Sequence, residues 1–272
     1  MTKIIRKLTA LSVMAFAAGA VHAAPAPTNW DYDLSLHWVN GSAKFSSGGG
    51  TQKTSLSTIS WGSVLRENAP LDIWKNSNAE TLRSGIVIDP RLAYSGAQTL
   101  TTNGDSVDAN AFTHYNNEIA GDFKTLESAQ LQLEISLVAL DGYEISWTKT
   151  FDVYFKETPN VTGDKKLDGD IFSITWTGDY SETFIYDGYE YTFNYFEETD
   201  ALNPLTQAAC DEVKGGNNCV GFITSESAKT PVDFGFSVSA VPVPEPETYA
   251  MLLAGLGVIG AIARRRRGGI AA

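Results

Sequence analysis

Four groups of residues in this 272-residue chain have types and spacings that could do chemistry. The first is Phe112-Thr113-His114-Tyr115-Asn116-Asn117, where an imidazole sits between a hydroxyl and a carboxamide. Thr and Asn side chains bond local backbone in turns, and a histidine can donate from one ring nitrogen while accepting at the other. The motif therefore reads as a loop locked against a sheet, with metal binding or catalysis as the rival. The second group is the acidic turn Asp164, Asp168, Gly169 and Asp170, which offers oxygen ligands to calcium. Its spacing matches an EF-hand loop at the first, fifth and sixth positions, but Lys166 stands at the third and Thr175 where the closing glutamate belongs. A solvated acidic turn is the better reading, leaving Asp164, Asp168 and Asp170 as weak calcium candidates and no assigned metal. The third group is Cys210 and Cys219, the only two cysteines, flanking Gly215, Gly216, Asn217 and Asn218. With no CxxC and no neighbouring histidine, the pair reads in an exported chain as a disulfide closing a loop. The fourth is the chain end: Pro244-Glu245-Pro246, an uncharged apolar run over 248–263, then Arg264, Arg265, Arg266 and Arg267.

Catalytic readings find little to stand on. No GxSxG elbow accompanies His114, and both thiols are spent if oxidised. A domain this acidic yields accidental carboxylate pairs everywhere, so a glycosidase pair cannot be picked out. Zinc lacks partners, because His37 and His114 are the only histidines outside the leader. Gly48-Gly49-Gly50 is not followed by the lysine and hydroxyl of a phosphate loop. No catalytic residue and no cofactor is assigned.

The elements that must carry these residues are strands. Leu131, Leu133, Ile135 and Leu137 alternate with polar residues, then comes the turn Asp141-Gly142, then Tyr143, Ile145 and Trp147. This period-two pattern around a tight turn is a hairpin, extended by Phe151, Val153 and Phe155 to the break at Pro159. Phe184 and Tyr186, Asp187-Gly188, and Tyr189, Tyr191, Phe193 and Tyr195 form a second. Strands are also expected over Trp30 to Val39, Leu56 to Val64, Ile86 to Ile88, Phe172 to Trp176 and Asp233 to Ala240, with one helical turn over Thr125 to Leu131. Many short strands and almost no helix predict an all-β fold, a single antiparallel β-sandwich or jelly roll. The bland role of the six tryptophans is core packing; stacking on sugars would need some of them exposed.

The termini are addresses. Lys3, Arg6 and Lys7 precede an apolar stretch from Leu8 to Val21, and Val21-His22-Ala23 is a small-residue cleavage site, so 1–23 reads as a signal peptide. At the other end the prolines stiffen the chain, the apolar run reads as a transmembrane helix near the short limit for spanning, and the four arginines hold 264–272 as a basic cytoplasmic tail. Residues 24–240 form the exported domain, with 241–247 as the sorting segment. Setting the termini aside leaves 13 basic and 30 acidic residues, about −17 at neutral pH. Such a polyanion repels phosphate backbones and excludes nucleic acid as a partner.

In order and spacing, Pro244-Glu245-Pro246, the apolar run and the arginine cluster resemble the PEP-CTERM sorting signal of Gram-negative bacteria. The resemblance implies recognition near Pro-Glu-Pro by an exosortase, a membrane-embedded cysteine transpeptidase-like protease. Transient membrane anchoring, loss of the helix and transfer toward the surface or exopolysaccharide matrix would follow. Within the exported domain, Thr113, His114, Tyr115 and Asn116 resemble the Thr-His-any-Asn motif that names the THxN family of PEP-CTERM proteins. Ser60-Trp61-Gly62, Glu157-Thr158-Pro159-Asn160 and Cys219 with Gly221-Phe222-Ile223-Thr224 recur with it. That resemblance implies architecture and destination and carries no reaction. The expectation is a non-catalytic surface or biofilm-matrix protein associated with exopolysaccharide; the alternatives are a secreted carbohydrate-active hydrolase or a calcium-dependent glycan-binding module.

Overall fold

A computed structural model describes residues 29–62, 83–89, 98–119, 121–164, 168–176, 178–243 and 246–268. The signal-peptide reading of 1–23, and Pro244 and Glu245 of the sorting segment, lie outside these residues. Strands alternate over the chain as β1 (Asn29–Trp38), β2 (Lys44–Phe45), β3 (Lys53–Thr54), β4 (Thr58–Gly62), β5 (Arg83–Asp89), β6 (Gln98–Thr101) and β7 (Val107–Asn116). They continue as β8 (Leu126–Ala139), β9 (Glu144–Lys156), β10 (Asp170–Ile174), β11 (Tyr180–Tyr186), β12 (Tyr189–Glu197) and β13 (Asn203–Pro204). A short helix α1 (Gln207–Glu212), β14 (Val220–Thr224), β15 (Ala228–Pro242) and helix α2 (Pro246–Gly268) complete the order.

Two antiparallel sheets face each other. One runs β13-β14-β10-β9-β8-β1-β6 with β2 on the side of β8, and the other β11-β12-β15-β7-β5-β4-β3. Both hairpins read from alternation are present: β8 pairs with β9 around Asp141-Gly142, and β11 with β12 around Asp187-Gly188. Asp187 and Gly188 both take positive φ, 47° and 77°, which suits the tight turn between right-twisted strands.

Period-two burial joins the sheets. Leu131, Leu133, Ile135 and Leu137 of β8 and Tyr191, Phe193 and Tyr195 of β12 all bury their side chains in one core. Trp30 of β1 sits edge-on to Tyr191 at 5.2 Å and Phe184 at 5.6 Å, and Phe112 of β7 meets Phe172 of β10 at 5.4 Å. Each such ring contributes about 1.5–3 kcal/mol of hydrophobic stabilisation. Trp30, Trp38, Trp61 and Trp176 are buried and Trp147 packs half-buried on Phe184 and Phe193, so the described tryptophans belong to the core rather than to a stacking surface.

Four sequence expectations are corrected. Thr125 to Leu131 is not a helical turn: β8 begins at Leu126, alternates from Ala129 onward after a shift of parity at its start, and is held extended by pairing with β2 at Leu126 and Ser128 and with β9 from Ser128 onward. Thr113–Asn116 is not a loop but the end of central strand β7, flanked by β5 and β15. The last strand runs from Ala228 to Pro242, with a register shift between Asp233 and Gly235. The segment 248–263 lies within α2, yet no helix among the described residues is long and apolar enough to cross a membrane. Sixteen residues rise only about 24 Å against a hydrocarbon core of roughly 30 Å, and lengthening the helix draws in Glu247 and the arginines.

Helix α1 went unread in the sequence. Thr206 caps it by accepting from the Ala209 amide at 3.3 Å, and Cys210 on it is bonded to Cys219, with Cα atoms 5.6 Å apart. Closing this short loop restricts the unfolded chain by roughly 2–3 kcal/mol on the chain-entropy model.

Candidate functional site: a buried polar centre between the sheets

Several strands carry an aromatic or aliphatic stripe on their inner face that turns polar at one end of the sandwich. On β7 the stripe is Phe112, His114, Asn116; on β9 it is Val153, Phe155 and then Glu157 just past the strand. On β14 it is Phe222 and Thr224, continued by Glu226, and on β10 it begins with Asp170 before Phe172. The antiparallel register brings these ends together: Asp170 lies opposite Thr224, and Ile171 opposite Lys156. The same two-residue period that packs the core thus delivers the polar groups to one buried place.

The hydrogen bonds there are specific. His114 Nδ1 and Thr224 Oγ1 share a bond of 2.9 Å, and Thr224 Oγ1 is 2.7 Å from Thr230 Oγ1. Asn116 Nδ2 donates to the Thr224 carbonyl at 2.8 Å and to Glu226 Oε1 at 3.1 Å. Trp61 Nε1 donates to Glu157 Oε2 at 3.0 Å, and the Thr158 amide to Asp170 Oδ1 at 3.0 Å. The His114 ring lies parallel to Trp61 at 6.3 Å and edge-on to Phe155 at 5.1 Å. His114, Asn116, Trp61 and Asp170 are 0 % exposed and Glu226 4 %. Glu157 meets solvent in part, but its Oε1 is buried.

Three carboxylates meet here. Glu157, Asp170 and Glu226 each place an oxygen within 4.8 Å of the others. Two unit charges at that range repel by about 3 to 4 kcal/mol at an effective dielectric near 20, so all three are not ionised together without a compensating charge. Burial is the main cause that pushes the Glu157 carboxyl up to about 7, and the Glu226 charge adds to it; the Trp61 N–H and a hydrogen bond with Asp170 pull the other way. Burial and then the Glu157 charge hold Asp170 well above the usual carboxylate range. Burial pushes the His114 imidazole down to about 3, so it is neutral at physiological pH.

A pH dependence follows. The Glu157 carboxyl binds its proton more tightly folded than unfolded, so its contribution is fully present below the unfolded pKa of about 4.5 and is lost as pH rises to about 7. Asp170, itself held high, acts in the same direction, whereas His114, kept neutral by burial but titrating near 6.5 when unfolded, acts in the opposite one, its contribution growing as pH rises toward 6.5. In chelator, the urea unfolding free energy of the wild-type chain falls relative to that of Glu157→Gln by on the order of 1–3 kcal/mol between pH 4.5 and 8, the difference between the two profiles isolating this group from His114. Parallel profiles for the two proteins would contradict the assignment.

The residues singled out in the sequence fall in different places. Thr113 points to the outer face of β7, while His114 and Asn116 enter the centre. Of the calcium candidates only Asp170 does: the Asp168 carboxylate accepts the amides of Thr162 and Gly163 at 3.1 and 3.0 Å, and Asp164 is exposed. Burial raises the Asp168 pKa, but those turn hydrogen bonds outweigh it and hold the group low. His37 lies on the outer face of β1, so it cannot share a metal with His114. Sequence reading did not single out Glu226, and it named Trp61, Glu157 and Thr224 only as parts of motifs. Their signal was parity, since each continues an inward stripe. The structure brings Trp61, His114, Asn116, Glu157 and Thr224, drawn from all four internal motifs, to this one centre.

At the chain end, Pro246 opens α2, where its missing N–H costs no helical bond, and Arg264 to Arg267 form the last turns. The apolar residues Met251, Leu252, Leu253, Leu256, Val258 and Ile259 are all exposed. A family model described as the PEP-CTERM protein-sorting motif matches residues 242–267. The match spans Pro244, Glu245, Pro246, the apolar run and all four arginines. No curated protein matches the chain. The motif is the exosortase recognition signal, and it supports export, transient membrane anchoring and sorting toward the cell surface.

Proposed function

We propose that this PEP-CTERM protein is a non-catalytic component of the cell surface or extracellular matrix, delivered by exosortase and associated with exopolysaccharide or biofilm. The single observation that carries the reading is the sorting motif over 242–267. Membership of the THxN family is part of the proposal, supported by the convergence of its four motifs on one buried centre. The burial and neutrality of His114 favour a structural role: its ring is enclosed by Trp61, Phe155 and Phe222, and its Nδ1 is committed to Thr224. A general base must reach the proton it abstracts, and a group 0 % exposed between two sheets does not meet a polymeric substrate. The strongly negative exported domain suits a hydrated matrix.

The test is a screen of the purified chain against a polysaccharide panel for binding and for release of reducing ends, with His114→Ala beside it. The reading expects retention on at least one polysaccharide and no turnover by either protein. Turnover by the wild-type chain that His114→Ala abolishes would sink it.

A further inference from the structure

The carboxylates of Glu157, Asp170 and Glu226 come from the end of β9, the start of β10 and the turn after β14, all from one sheet. Asn116 reaches them from β7 of the other sheet: its Nδ2 donates to Glu226 Oε1, while its Oδ1, on a side chain 0 % exposed, has no hydrogen-bond partner among the described residues. Asp170 Oδ2 and Glu157 Oε1 are likewise buried, and no amide, hydroxyl or indole donor among the described residues reaches them. Donors are what a hydrogen-bonded core would place here; oxygens facing oxygens are what a cation needs. We propose that Glu157, Asp170 and Glu226 bind one calcium ion, with the Asn116 carboxamide oxygen as a neutral fourth ligand.

The spacing fits the ion. Calcium holds its oxygens at roughly 2.3–2.6 Å, so two ligands on opposite sides of it stand about 4.6–5.2 Å apart. The three carboxylate oxygens lie within 4.8 Å of one another. The ligand set is all oxygen, which disfavours zinc; both cysteines are in the disulfide and His114 Nδ1 is engaged by Thr224. Magnesium keeps several waters in a regular octahedron, which a site enclosed between packed sheets does not suit. The bound ion would offset two of the three negative charges and tie β7 to the opposite sheet. This site does not depend on how the chain is sorted, and it differs from the turn of Asp164 and Asp168, whose buried Asp168 carboxylate is already taken up by the Thr162 and Gly163 amides.

The test strips the purified full-length chain with EDTA and titrates calcium chloride by calorimetry, with thermal melts alongside. The proposal expects one calcium per chain and a melting temperature that climbs with calcium. At calcium a hundredfold above Kd, the folding equilibrium constant rises about a hundredfold. Asp170→Asn, which keeps shape and removes a charge, loses calcium uptake and the rise in melting temperature while still melting cooperatively. Terbium gives a readout that needs no variant: Trp61 donates to Glu157 at 3.0 Å, so terbium bound there emits on tryptophan excitation and calcium displaces it. An unchanged melting temperature up to about 10 mM calcium, beyond the range of extracellular calcium modules, would overturn the proposal. So would full calcium uptake by Asp170→Asn, or a terbium signal that calcium does not compete.

Discussion

Trp61→Ala lowers the unfolding free energy by about 3 to 5 kcal/mol, the largest loss expected from any single truncation at the polar centre. Trp61 is 0 % exposed and fills the gap between the sheets, 4.8 Å from the Phe155 ring and parallel to His114. Truncation opens a cavity that β4, in a ladder between β3 and β5, cannot easily collapse to fill. It also removes the Nε1 donor from Glu157 Oε2, leaving a buried carboxyl oxygen unsupported. Trp61→Phe keeps most of the volume and loses only the donor, so it costs clearly less. Domains of this kind have about 5–15 kcal/mol in total, so the alanine variant takes a large share of it. Urea unfolding measures both, and equal losses for Phe and Ala would show that the indole nitrogen, not packing, dominates.

The second large effect is at Gly221, on β14 opposite Ser173 of β10. A Cβ there would stand 1.9 Å from the Phe172 carbonyl oxygen and 2.9 Å from the Ser173 Cα. Both neighbours are backbone, so no side-chain rotation relieves the clash and the two strands must part. Those strands carry Asp170 and Thr224, which lie directly opposite each other. Gly221→Ala is therefore expected to cost about 3 kcal/mol or more, at the upper end for overpacking. A urea midpoint that moves with an unchanged slope reports it; a loss under about 1 kcal/mol would contradict the close approach.

The sheets were legible in the sequence because period two is a local signal. Leu131 to Leu137 and Tyr189 to Tyr195 state their inward faces without reference to any other strand. The same rule identifies His114 and Asn116 as inward once β7 is recognised as a strand, but hydroxyl and amide side chains around an imidazole are also what a turn contains. Two hydrogen-bonded neighbours, β5 and β15, decide the matter, and neither is close in sequence. Helix α1 hid for a related reason: its six residues carry no clear periodic stripe, and its cap and disulfide hold it in place. The polar centre was harder still. Glu157, Asp170 and Glu226 are separated by 13 and 56 positions, so among thirty acidic residues nothing local distinguishes them. What marked them was an inward parity read against a register that only the fold supplies. The sorting signal stands at the opposite extreme, since Pro-Glu-Pro, an apolar run and arginines are contiguous and are read by a partner as a linear address.

That address is the central claim, and intact-mass analysis of the protein recovered from the cell surface tests it most directly. The account predicts a chain that has lost both its leader and everything beyond the Pro244-Glu245-Pro246 neighbourhood, and retention of the full C-terminus when those three residues are replaced by alanine. A surface form of the unaltered protein ending at Ala272 would contradict it.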